Sequence, residues 1–368
     1  MPPPFIDLVK TLPASVPFVG PETQERQMGK PFRARIGANE SIFGPSPKAI
    51  EAMRQAASDA WMYCDPENHD LRHALAAHHG VSPDNIVVGE GIDGLLGLTC
   101  RLFLTDGIPV VTSAGAYPTF NFHVAGFGGT LNTVPYRDDC EDPDALLDAA
   151  NEHGARLIYI ANPDNPMGTV HDAETIQRMI DNTPKDALLC LDEAYIEFAD
   201  DGTAPAIDID NPNVIRYRTF SKAYGMAGAR IGYAIAEKNL AVAFNKVRNH
   251  FGVNRIAKAG ACAALADQAY LKAIQQKVID ARAKISDIAA AHGLHALPSQ
   301  TNFVTIDCGK DGDFARRVLG SLIDQGVFAR MPGVAPMDRC IRITVGRDED
   351  LAIFADALPK ALMAAETE

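Results

Sequence analysis

Between residues 85 and 217 the chain repeats one pattern, a short apolar run that ends on polar residues and turn formers. Asn85-Ile-Val-Val88 runs into Gly89-Glu-Gly-Ile-Asp93, and Pro109-Val-Val-Thr112 leads to Tyr117-Pro-Thr-Phe120. Arg156-Leu-Ile-Tyr-Ile-Ala161 leads to Asn162-Pro-Asp-Asn-Pro-Met-Gly168, and Ala187-Leu-Leu-Cys-Leu191 to Asp192-Glu-Ala-Tyr195. Asn213-Val-Ile-Arg-Tyr217 delivers a loop centred on Lys222. Strands this apolar, alternating with helical stretches, specify an α/β fold with a mainly parallel sheet covered by helices on both faces. The polar residues fall just past the carboxyl ends of the strands, the edge where open α/β sheets bind ligands.

The rest of the chain frames this unit. A length of 368 residues exceeds what one core usually serves, and the sequence pattern divides it in three. Residues 1–45 form an amino-terminal arm and part of a small domain, 46–265 a large domain, and 266–368 a carboxy-terminal small domain of α+β character. Helices are expected near Lys48 to Ala60, His69 to His79 and Gly91 to Phe103, and Arg230-Ile-Gly-Tyr-Ala234 as an antiparallel or edge strand. A long helical region spans Asn254 to Ala291. Strands follow at Asn302 to Asp307, Val327 to Arg330 and Cys340 to Val345, with helices at Asp313 to Gln325 and Asp348 to Ala364.

The net charge of -13 argues against nucleic acid or an anionic membrane as partner, because phosphate surfaces are met by excess Lys and Arg. Any anionic ligand must therefore find local arginines. Seven dispersed cysteines without a Cys-x-x-Cys pair read as reduced thiols, and Met1-Pro-Pro-Pro-Phe5 has no secretion signature, so a cytoplasmic protein is expected. No metal site is expected, since His69/His73 and His78-His79 lack a cysteine or carboxylate partner at zinc spacing.

The strand-end residues make a joint chemical case. Thr219 and Ser221 bring hydroxyls to Lys222, Gly225 and Gly228 permit close backbone approach, and Arg230 adds a fixed cation. A lysine beside another cation, partly desolvated, loses preference for its charged form, as a nucleophilic amine requires. Asp192 ends an apolar strand and needs a cationic partner or a proton. Tyr195 offers a phenol, Asn165 an amide, and Phe120 a flat aromatic face. The glycine turn at Gly91, Ile92 and Asp93 opens a helix and reads either as an anion site or as a plain tight turn. Taken one at a time, Asp192 is a helix cap, Asn165 a turn residue, and Tyr195 and Phe120 core rim. Together with Lys222 and Arg230 they describe a cradle for pyridoxal phosphate.

Five motifs carry a resemblance: Asn39-Glu-x-x-x-Gly-Pro-Ser-Pro47, Asn162-Pro-x-Asn-Pro-x-Gly168, Asp192-Glu-Ala-Tyr195, Ser221-Lys-Ala-Tyr-Gly-x-Ala-Gly-x-Arg230 and Arg342-Ile-Thr-Val-Gly346. From about Ile36 to Val345 the chain resembles the fold-type I pyridoxal-phosphate aminotransferases, and within them the histidinol-phosphate aminotransferases. The resemblance implies that Lys222 binds the cofactor and moves the substrate proton. It implies that Asp192 keeps the pyridine nitrogen protonated and that Tyr195 and Asn165 bond the ring oxygen. Thr219, Ser221, Arg230 and the amides at Ile92 and Asp93 would hold the phosphate, with Tyr63 reaching it from a neighbouring subunit of a homodimer. Arg342 matches a carboxylate-gripping arginine, Arg330 a position for a substrate anion, and Asn39 lies in the segment that meets the substrate. The partners implied are a small amino donor and a 2-oxo acid acceptor. Aromatic aminotransferases and a threonine-phosphate decarboxylase-like lyase share the same electron sink. The chain departs from the family pattern at Gly94, at Met167 and across Met331 to Met337.

Overall fold

The structure is a computed structural model and describes residues 3–14 and 18–367. Within them the strands in chain order are β1 (Ala34–Arg35), β2 (Ile86–Gly89), β3 (Pro109–Ser113), β4 (Thr130–Val134), β5 (Leu157–Ala161) and β6 (Leu188–Asp192). The others are β7 (Val214–Thr219), β8 (Gly232–Ala236), β9 (His295–Ala296), β10 (Phe303–Asp307), β11 (Val327–Phe328) and β12 (Cys340–Thr344).

Seven strands form the large sheet in the order β2-β8-β7-β6-β5-β3-β4. The pairs from β7 to β4 are parallel, and β8 runs antiparallel between β7 and β2. The strand expected from Arg230 is thus antiparallel but interior, and β2 is the edge. Alternation along the strands builds two cores. Leu157, Tyr159, Leu188 and Cys190 face a layer with Leu95, Leu96, Phe120 and Val124, from helices Gly91–Phe103 and Pro118–Gly126. Ile158, Ile160, Leu189 and Leu191 face the opposite layer, against Leu146, Leu147, Ile176 and Met179 of helices Pro143–His153 and Ala173–Asp181. Apolar side chains on both faces are why β5 and β6 are buried throughout.

A smaller antiparallel sheet, β12-β10-β9, stands beside the first. The short parallel pair β1 and β11 ties residues 34–35 to this end of the chain, and Thr344 N donates to Ile36 O at 2.8 Å. Helices Gly312–Asp324, Asp348–Thr367 and Gln268–Ala290 cover it, and one apolar cluster continues from Leu71 and Phe220 through Ile274 to Phe354. The helical region expected as one stretch breaks at Asp267, which is not helical (φ -99°, ψ 60°) and accepts a hydrogen bond from Lys48 Nζ at 3.0 Å.

One buried charge cluster sits behind the ligand-binding edge. Glu193, 1% exposed, accepts from Arg216 Nη2 at 2.5 Å and Arg218 Nε at 2.9 Å. Burial alone raises the Glu193 carboxyl, but Arg218 and Arg216 outweigh it and hold it at about 2. Removing one member leaves buried charge uncompensated, so Glu193→Ala should cost about 3–5 kcal/mol, read from the urea midpoint. A cost below about 1 kcal/mol would contradict this account of the cluster.

Candidate active site

The directions of the strands bring five loops to one edge of the large sheet. The carboxyl ends of β2, β3, β5, β6 and β7 and the amino end of β8 all open there, around a cavity of about 840 Å³. Arg342 of the small sheet, with Arg330 and Met331 just after β11, closes its far side.

Asp192 forms the floor. It continues the face of β6 that carries Cys190, so its carboxylate emerges at the strand end while the residue stays 5% exposed. Its Oδ2 accepts from Tyr159 Oη at 2.7 Å, and its Oδ1 from Ala194 N at 2.9 Å. Burial pushes this carboxyl up to about 6 despite both bonds. Such a group lacks only a cation, and it faces the cavity. Tyr195 Oη accepts from Asn39 Nδ2 at 3.0 Å beside it.

Phe120, expected against the cofactor ring, is placed differently. It is fully buried and stacks on Tyr159 with centroids 4.6 Å apart, outside the cavity. The helix starting at Pro118 turns Phe120 inward, whereas Tyr117, the residue before that helix, stands in the cavity wall. Its hydroxyl donates to Asp93 Oδ1 at 2.7 Å.

Lys222, in the same cavity, donates its Nζ to Asn39 O at 3.1 Å and lies 5.5 Å from the Tyr195 ring centroid. Asn39 holds a left-handed φ of 54°, which asparagine tolerates. Thr219 Oγ1 donates to Ser221 Oγ at 2.9 Å and accepts from Ser221 N at 3.0 Å, a folded hydroxyl pair on the cavity wall. Ile92 and Asp93, at the start of helix Gly91–Phe103, line the same region. Gly91 has φ 81°, and a Cβ there would come within 2.7 Å of Arg230 Nη2, so only glycine lets the guanidinium lie across the helix start. Arg230 has a loose ion pair, 3.7 Å from Asp93 Oδ2. Hydroxyls, a helix start and a guanidinium are a donor set that fits a cofactor's phosphate, and the buried Asp192 carboxyl fits a protonated ring nitrogen.

The third corner is cationic. Arg342, buried on β12, donates Nη1 to Asn165 Oδ1 and lies over the Phe303 ring at 5.1 Å, while its Nε has no partner among the described residues. Burial lowers this guanidinium to about 10, so it stays charged at neutral pH. Arg330, bridged to Arg342 through the backbone, points into the same space with its guanidinium over Phe18 at 5.4 Å and over Phe328 at 5.6 Å. It donates to Val19 O at 3.1 Å. The amino-terminal arm thus covers the cavity mouth, with Phe18 also stacked on Tyr117 at 6.4 Å.

Tyr63 stands apart. It is 77% exposed, paired with Phe251 at 4.8 Å, and outside this cavity.

Sequence reasoning missed Tyr117, Tyr159, Glu40 and the arm residues Phe18 and Val19, all in the cavity wall. Tyr159 had a legible signal: a phenol on the sheet face of the neighbouring strand end that carries Asp192.

A mainly parallel α/β sheet with a lysine, a buried carboxylate and an arginine-lined corner at one edge is the fold and site of a pyridoxal-phosphate-dependent aminotransferase. Residues 35–358 match aminotransferase class I and II, and the chain belongs to that family. A protein of Anaeromyxobacter sp. named histidinol-phosphate aminotransferase is 36% identical over 344 residues, covering 92% of this chain and 93% of its own. Histidinol-phosphate aminotransferase 2 of Pseudomonas aeruginosa is 35% identical over 331 residues, 89% of each chain. Among solved structures, histidinol-phosphate aminotransferase from Sinorhizobium meliloti, in complex with pyridoxal-5'-phosphate, matches with a TM-score of 0.95 and 56% identity. That match covers 98% of this chain and 97% of the other.

Because the folded Asp192 carboxyl titrates above its unfolded value, its contribution to cofactor-free stability is complete below about pH 4 and lost as pH rises through about 6. Across that interval the cofactor-free wild type should lose on the order of 3 kcal/mol relative to Asp192→Asn, measured as urea midpoints. Parallel pH curves for the two proteins would overturn the assignment.

Proposed function

We propose that this aminotransferase exchanges an amino group between glutamate/2-oxoglutarate and histidinol phosphate/imidazole-acetol phosphate. One observation carries the substrate reading: the cavity has two guanidinium groups, Arg330 and Arg342, beyond the one at its phosphate end, Arg230. A ping-pong exchange must seat two different substrates in one place. Arg342, planar and with an unpartnered buried Nε, suits a carboxylate, while Arg330, at the mouth, suits the more exposed phosphate or distal carboxylate. The names of full-length relatives support the same choice.

In this reading Asp192 pairs with the cofactor's ring nitrogen, and Tyr159 fixes the carboxylate's orientation. Tyr195 and the amide of Asn165 bond the ring oxygen. Thr219, Ser221, Arg230 and the amides at Ile92 and Asp93 hold the phosphate. Bound pyridoxal phosphate supplies the electron sink that makes the substrate Cα–H acidic. Lys222 Nζ takes that proton and returns it at the other end of the transfer, which a mobile amine within the cavity can do. The Asn39 carbonyl holds Lys222 until substrate arrives. Phe18 and Val19 place apolar surface at the mouth.

A second copy of the chain belongs to this reading. Trp61, Tyr63 and Phe251 are exposed apolar side chains, 81%, 77% and 51%, that a homodimer would cover while Tyr63 reaches the partner's phosphate site. Sedimentation showing only monomer at micromolar concentration would end that part of the proposal. Seven free cysteines suit a cytoplasmic enzyme.

Steady-state kinetics separate histidinol phosphate from phenylalanine as donors. We expect kcat/KM for histidinol phosphate to exceed that for phenylalanine by about 100-fold or more, and Arg330→Met to remove about 10- to 100-fold from the histidinol phosphate value alone. A larger value for phenylalanine in the wild type would favour an aromatic aminotransferase instead.

A further inference from the structure

Beneath the turn that carries Asn165 lie two carboxyls which no step above uses. Glu141 and Asp164 are each 2% exposed and within hydrogen-bond reach of one another. Each of their oxygens also accepts one hydrogen bond from the protein. Glu141 Oε2 accepts from Ser113 Oγ at 2.6 Å, and Oε1 from Ala161 N at 2.9 Å. Asp164 Oδ1 accepts from Tyr136 Oη at 2.9 Å, and Oδ2 from Met167 N at 2.9 Å. Two carboxyls in contact without a cation repel unless one keeps a proton.

Among the described residues no cation forms an ion pair with either carboxyl. Tyr136 and Cys140 come from the segment after β4 and Tyr159 from β5, all with neutral side chains at ordinary pH. Asp138 and Asp139 add negative charge, and Arg339 is taken up by Asp139 and Asp307. Arg137 pairs with Asp142, and His171 Nε2 meets the Glu141 backbone carbonyl rather than its carboxyl. Arg342 is felt by Asp164 but bonds to Asn165. Burial, and then Asp164, pushes Glu141 well above the usual carboxylate range, and burial pushes Asp164 up to about 6.

The turn above this pair joins the two sheets. Asp164 N donates to Thr169 O at 2.9 Å and its own carbonyl accepts from Gly168 N at 3.2 Å, which closes the turn. From the small sheet's side, Thr305 Oγ1 donates to Pro166 O at 2.8 Å, Gln300 N to Gly168 O at 3.0 Å, and Arg342 Nη1 to Asn165 Oδ1. The orientation of Arg342 therefore depends on where this turn sits.

We propose that Glu141 and Asp164 share one proton and act as positioning residues, holding the Asp164–Gly168 turn so that Asn165 keeps Arg342 aimed at the substrate carboxylate. This rests on the reading of Arg342 as the carboxylate-binding residue. Loss of the shared proton sets two negative charges against each other, displaces the turn and loosens Arg342. The chemical step at Lys222 is untouched, so the effect falls on KM and not on kcat.

The test uses the holoenzyme and the KM for 2-oxoglutarate across pH 7 to 9. Glu141→Gln keeps a donor toward Asp164 that cannot ionise. Its KM and kcat should lie within about 2-fold of wild type at pH 7, and its KM should stay flat where the wild-type KM rises by about 5-fold or more. Glu141→Ala should raise KM by about 10-fold with kcat within about 3-fold. Should Glu141→Ala fail to fold, the comparison of Glu141→Gln with wild type decides alone. A Glu141→Gln profile superimposed on the wild-type profile overturns the proposal. Arg342→Gln separates the two claims: a raised KM there with superimposed Glu141→Gln and wild-type profiles sinks only the proton-sharing pair. An unchanged KM in Arg342→Gln sinks the carboxylate reading and the pair with it.

Discussion

The site depends on one carboxylate that the fold buries at a strand end, on the floor of the cavity. Asp192 gains a hydrogen bond from Tyr159 and one from Ala194, yet burial still pulls it toward protonation. Under the proposed function, a cofactor bringing a pyridinium to this point would stabilise the ionised form, and the ionised form would keep the ring nitrogen protonated. Binding and electron withdrawal then share a single interaction. Glu193, next in sequence, points to the other side and is neutralised by Arg216 and Arg218. Two adjacent carboxylates therefore have opposite fates: one is satisfied by the protein, and the other is reserved for a ligand.

The second dependence is on Asn39, which joins the small sheet to the cofactor end. Its backbone N–H donates to Thr344 Oγ1 at 3.0 Å, its carbonyl accepts from Lys222 and Asn302, and its amide reaches Tyr195. The Asn165 turn makes the same kind of connection through Arg342. Substrate and cofactor corners are thus linked by hydrogen bonds at two places, and movement of the small sheet would be felt at Lys222. Gly225 shows how tight this joint is, since a Cβ there would lie 2.4 Å from the backbone of Gly44.

Much of this was legible in the sequence because it rests on local rules. Apolar runs buried on both faces announced β2, β3, β5, β6 and β7, and the glycine turn before Ile92 announced the helix Gly91–Phe103 within its bounds. Long-range choices were less legible. β4, Thr-Leu-Asn-Thr-Val, is a half-polar edge strand and carries no apolar run. Phe120 and Tyr117 are aromatic neighbours in sequence, and only the direction of the helix after Pro118 decides which one meets the cavity. Tyr159 looks like any core residue of β5 until Asp192 is placed across from it. Phe18 and Val19 reach the mouth through contacts with Arg330, more than three hundred positions away in sequence.

In the proposed function Asp192 keeps the cofactor's ring nitrogen protonated. The 15N chemical shift of labelled cofactor in the holoenzyme reads that protonation directly. From pH 6 to 9 it should remain at the pyridinium position in the wild type and move to the neutral pyridine position in Asp192→Ala. A neutral ring nitrogen in the wild type within that range would contradict the account.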